Sequence, residues 1–121
     1  MNWLPDLTAR IRAAGCPPVQ TDALVLCADA LAALCEQFVS KAPMPHLEMW
    51  PPDEEYADSD LKLSWTNVRL ERSLTIYAES DGSVWLHLQD SSGQVASRTV
   101  LAPTGDQLRV AVTTFFDGWT P

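Results

Sequence analysis

The stretch from Asp22 to Ser40 constrains this chain more than any other. Leu24, Cys27, Leu31, Leu34 and Phe38 recur at three- and four-residue spacing. Val25, Ala28, Ala32, Cys35 and Val39 form a second stripe beside the first. Both stripes follow the helical period. The polar remainder is a narrow strip holding Asp22, Asp29 and Glu36. A helix apolar around so much of its circumference is covered on more than one side. One cover is a sheet; the other is the first helix, the last helix or a second copy of the protein.

The sheet is legible downstream. Leu61, Leu63 and Trp65 alternate with Lys62 and Ser64, and Leu74, Ile76 and Ala78 with Ser73, Thr75, Tyr77 and Glu79. Val84, Leu86 and Leu88 alternate with Trp85, His87 and Gln89. A period of two with one apolar face marks half-buried antiparallel strands. A less regular strand is expected over Val95 to Leu101. His46 to Trp50, bracketed by Pro43, Pro45, Pro51 and Pro52, reads as an edge strand, because proline cannot donate to a ladder.

Helices open and close the chain. The first is expected from Trp3 to Ala14, with Asn2 as N-cap, Pro5 in the first turn, and Leu4, Leu7 and Ile11 on one face. Gly15 ends it and Pro17-Pro18 prevents its continuation. The last is expected from Gly105 to Asp117, opened by a capping box of Thr104 and Gln107 and closed by Gly118. Helices followed by a run of strands imply an α+β fold. It has two N-terminal helices, an antiparallel sheet of four to five strands in meander order, and a C-terminal helix. A chain of 121 residues is expected to form a single domain, 1–121, that buries roughly two-thirds of its unfolded surface.

The hairpin at Glu79-Ser80-Asp81-Gly82-Ser83 carries register information. A two-residue Asp81-Gly82 loop sets inward Ile76 opposite outward His87, which mixes the two faces. A three-residue loop, Ser80-Asp81-Gly82, pairs Ile76 with Leu86 and Ala78 with Val84. It also puts Gly82 at the left-handed position of a G1 bulge. The outward face then pairs Tyr77 with Trp85 and Thr75 with His87.

Composition narrows the setting. With 46% hydrophobic and 20% charged residues the chain is too apolar for disorder. No stretch reads as the ~20 continuous apolar residues of a membrane span, so no membrane contact is expected. Pro5, Asp6, Arg10 and Arg12 make the N-terminus unlike a signal peptide. Cys16, Cys27 and Cys35 are odd in number without C-x-x-C spacing, which points to reduced structural thiols and a cytoplasmic protein.

Charge is the more telling quantity. The net charge is −8, and between Glu48 and Asp60 six acids (Glu48, Asp53, Glu54, Glu55, Asp58 and Asp60) occur with no Lys or Arg. Direct nucleic-acid binding needs clustered cations, so it is not expected.

Catalytic patterns are not found. His46 and His87 sit in no metal or hydrolase motif, and no Gly-rich phosphate loop or nucleophile elbow can be drawn. The acidic run lacks the spacing of a calcium loop. The chain therefore reads as a non-enzyme without cofactor or metal. An enzyme would instead need a deep pocket holding His46 or His87 beside a carboxylate.

What remains are surfaces. One is the acidic stretch, with Trp50 and Tyr56 embedded in it; such clusters steer association with basic partners. Another is the outward pair of Tyr77 and Trp85, residue types enriched as interface anchors. A third is the excess apolar surface of helix 22–40, a seam for a homodimer. In size, acidity and lack of catalytic motifs the chain resembles small inhibitors and immunity-type proteins of phages and mobile elements, including anti-CRISPR proteins. That resemblance implies a stoichiometric inhibitor or regulator that blocks a basic, nucleic-acid-binding surface of its protein partner. The partner-binding residues are then Glu48, Trp50, Asp53, Glu54, Glu55, Tyr56, Asp58, Asp60, Tyr77 and Trp85. The chain is also similar in size and charge to type III secretion chaperones, which are acidic α+β homodimers. Their order has a helix splitting the strands, and no helical period interrupts Leu61 to Leu101 here.

Overall fold

Pro17 and Pro18 begin the second helix, after the first has already ended at Arg12. The computed structural model describes residues 1–50, 60–90, 95–100 and 105–119, with the side chains of 50, 60, 95–100 and 105 outside that description. Helix α1 spans Leu4–Arg12 and α2 spans Pro18–Phe38. Pro17 is extended (φ −56°, ψ 145°) and Pro18 takes the first helical turn. There a missing N–H goes unnoticed, because the first amides of a helix have no intrahelical partner. α2 therefore starts four residues before the expected Asp22 and ends at Phe38. Asn2 does not cap α1. Trp3 holds that position without a side-chain cap bond, and its indole Nε1 instead donates to the Ala42 carbonyl at 3.0 Å.

The remaining elements are β1 (His46–Trp50), β2 (Asp60–Asn67), β3 (Arg72–Ala78), β4 (Val84–Gln89), β5 (Val95–Val100) and α3 (Gly105–Phe115). The strands form one antiparallel sheet in the order β1-β2-β3-β4-β5. The fold is thus α+β: two helices, a meander sheet and a closing helix. Thr104 of the expected capping box lies outside the described residues.

The helices share one sheet face. Inward Leu61, Leu63, Trp65, Leu74, Ile76, Ala78, Val84 and Leu86 join residues of all three helices in one buried cluster. α2 is the central helix, packed on α1, on α3 and on strands β2 and β3. This resolves its two stripes: Leu24, Cys27, Leu31, Val25, Ala28, Ala32 and Cys35 are all buried within one copy of the chain. Leu26 (58% exposed) and Phe38 (46%) stay open to solvent. At 21 residues α2 is also long and apolar enough to cross a bilayer. A count of continuous apolar residues passes over this, because Asp22, Asp29 and Glu36 interrupt the run.

Side-chain bonds to backbone carbonyls fix both ends of the helix layer. At the start of α2 the fully buried Gln20 donates from Nε2 to the Ala78 carbonyl at 2.8 Å. At the far end the β2–β3 turn supplies Arg69, and the first residue of β3 is Arg72. Arg72 donates to the Phe115 carbonyl (3.5 Å) and to that of Asp117, and Arg69 to that of Gly118 (3.4 Å). Cations at a helix C-terminus answer both its unpaired carbonyls and its dipole. α2 and α3 therefore run in the same direction, with their N-termini at the Ala78 end of the sheet.

An aromatic cluster fills the Arg72 end. Trp65 meets Trp3 edge-on (6.4 Å), Phe116 edge-on (5.1 Å) and Phe115 nearly parallel (6.2 Å, 22°). Its Nε1 donates to the Pro43 carbonyl at 2.8 Å. Trp65→Phe removes that bond and part of the packed surface, so it is expected to lower stability by about 2–3 kcal/mol in chemical unfolding.

The thiols can be tested separately. Burial pushes Cys27 up to about 12 and Cys35 up to about 11, the latter against an opposing pull from the N-terminal ammonium. Cys16 is only half-buried. At neutral pH one thiol should titrate quickly with a disulfide reagent, and the other two only on unfolding. The raised values also set a sign. Their stabilisation is full below the ordinary thiol value of 9.0 and is lost as pH climbs towards 11–12. A Cys27→Ala, Cys35→Ala variant should show less of that alkaline loss.

Candidate interaction surface

The turn between β3 and β4 decides which side chains face away from the helices. The Glu79 amide donates to the Ser83 carbonyl and the Gly82 amide to the Glu79 carbonyl, both at 2.9 Å. Gly82 has φ +87°. This is the three-residue loop with Gly82 in the left-handed position. Asp81 reinforces it by accepting the Ser83 amide at 2.8 Å, a bond that holds its carboxyl below the usual range. The resulting register pairs Ile76 with Leu86, Tyr77 with Trp85 and Thr75 with His87, as expected from the sequence.

On the outward face a row of register partners runs Glu48, Lys62, Tyr77, Trp85 and Thr99. The next row runs His46, Ser64, Thr75, His87 and Ser97. Tyr77 lies nearly parallel to Trp85 (6.5 Å, 13°) and to His87 (5.3 Å, 23°). Its hydroxyl is 2.8 Å from His87 Nε2. Tyr77 is therefore nearly parallel to both rings and hydrogen-bonded at its tip. All three residues are half-buried, and the indole N–H of Trp85 has no acceptor among the described residues.

The acidic stretch is only partly placed. Glu48 is exposed on β1, opposite Lys62, and its Oε1 lies 3.2 Å from His46 Nε2. Trp50 and Asp60 are register partners at the end of the β1–β2 ladder. Asp53, Glu54, Glu55, Tyr56 and Asp58 lie outside the described residues. The anchors nevertheless fix where the segment leaves and re-enters the sheet. It is the Ala78 end, which also carries the β3–β4 turn with Glu79 and Asp81. Those two acids were not expected at the site. The signal was present, because in a meander the first and third connections always share an end.

A cavity among the described residues lies elsewhere, at the C-terminal ends of α2 and α3, and neither histidine lines that cavity. No three His, Cys, Asp or Glu side chains converge among the described residues.

Gly82 also touches the helix layer, since a Cβ there would lie 3.0 Å from Val19 Cγ1. Gly82→Ala meets both that contact and the left-handed backbone. It is expected to cost about 1–2 kcal/mol in thermal unfolding and to disturb the Tyr77–Trp85 stack. No family model matches this sequence, and neither does any curated protein or solved structure.

Proposed function

We propose that this protein is a stoichiometric inhibitor or regulator that docks on a basic surface of a protein partner and blocks nucleic-acid binding there. One observation carries the reading. The sheet face turned away from all three helices bears the stacked Trp85, Tyr77 and His87 rings, and the acid-rich connection is anchored at one end of that same sheet. The rings provide rigid apolar area of the kind that dominates interface energies. The acids provide long-range attraction and discriminate against acidic surfaces. In this reading Trp50, Tyr56, Tyr77 and Trp85 are the anchors, and Glu48, Asp53, Glu54, Glu55, Asp58 and Asp60 form the steering flank. The chaperone-like alternative rests on an apolar seam along α2, most of which is taken up by α1 and α3 in one copy.

The two patches are separable by mutation. Affinity capture from the source cell, followed by titration against the captured partner, should give a salt-sensitive complex. The Asp53→Lys, Glu54→Lys, Glu55→Lys variant should abolish it without changing the circular dichroism spectrum. Trp85→Ala should weaken it by about 30-fold, the loss of roughly 2 kcal/mol typical of an anchor. A partner that binds both variants as tightly as the parent chain would overturn the proposal.

A further inference from the structure

The end of the molecule opposite the acidic connection holds a cavity of about 230 Å³ that opens to solvent between Phe38, Val39, Ser40 and Lys41 after α2 and Phe116 and Trp119 after α3. Its walls are aromatic: Phe116 and Trp119 meet edge to face at 5.5 Å, and Phe38 is 46% exposed although it is a large apolar ring. Its polar equipment is cationic. Lys41 is exposed and, among the described residues, has no hydrogen bond or ion pair. Arg69 reaches the carbonyl of Gly118, the residue before Trp119, and so holds a second positive charge beside the same wall. Glu36, one helical turn before Ser40, is engaged by the Met1 ammonium. Ser40 adds a hydroxyl.

From this combination we infer that the cavity is a binding site for a small carboxylate carried on a ring-sized apolar body. The size argues for a free small molecule: a cavity of roughly 150 Å³ is enough for benzene, and drug-sized ligands need about 300 Å³ or more. The ring lies against Phe38, Phe116 and Trp119, and the carboxylate pairs with Lys41. The chain as a whole carries −8, so an anion is drawn here by local charge alone. The site is independent of the outward sheet face.

Phenylacetate is the probe, with benzyl alcohol as its uncharged counterpart, followed by heteronuclear NMR on the intact chain. Phenylacetate should shift the Trp119 indole and the Phe38 and Lys41 amides saturably, while the resonances of Tyr77 and Trp85 stay in place. Lys41→Met should weaken it about fivefold or more, and Lys41→Arg should restore it. Phe38→Ala, at a half-exposed position that tolerates truncation, should weaken both probes. Three results would each overturn the site: no saturable shift, equal affinity for the alcohol, or undiminished binding by Lys41→Met.

Discussion

Trp65 is the residue through which the separate parts of this chain meet. It points inward from β2, so the period of the strand alone sends it to the core. There it touches Trp3 at the head of α1, Phe115 and Phe116 at the foot of α3, and, through its indole N–H, the Pro43 carbonyl between α2 and β1. Trp3 makes a matching bond to the neighbouring Ala42 carbonyl. The α2–β1 connection contains two prolines and no regular ladder, and these two indoles satisfy carbonyls that have no partner in a ladder. Both ends of the chain are thereby tied to the sheet.

The charge distribution follows the same axis. Glu79 and Asp81 lie at the Ala78 end, where α2 and α3 present their N-termini, and Arg69 and Arg72 lie at the other, where α3 presents its carbonyls. The two arginines thus meet the pole of α3 whose dipole favours a cation. The proposed functions divide along this axis: a macromolecular contact at the acidic pole and a small anion at the opposite one.

Much of this was readable in the sequence. The periods of two and of 3.6 place the strands and helices, and the parity argument at Ser80-Asp81-Gly82 delivers the register and the Tyr77–Trp85 pair. The start of α2 was not readable in the same way. Pro17-Pro18 signals both an end and a beginning, and only the packing of Gln20 against Ala78 decides that the helix begins there. The capping role given to Asn2 failed because a tertiary bond, Trp3 to Ala42, sets how the chain enters α1. The aromatic cluster was likewise hidden. Trp3, Trp65, Phe115, Phe116 and Trp119 are far apart in sequence, and no local period relates the three segments that carry them. The cavity beside Lys41 depends on the parallel course of α2 and α3, which no local pattern encodes.

The proline-bracketed strand β1 has a further consequence. It is five residues long and borders the sheet, with Pro43 and Pro45 before it and Pro51 and Pro52 after it. Edges of this kind make poor templates for a strand from another molecule, since the flanking prolines leave an incoming chain only a short row of donors. Along the β1 edge backbone addition is thus discouraged, and recognition is left to side chains projecting from the face.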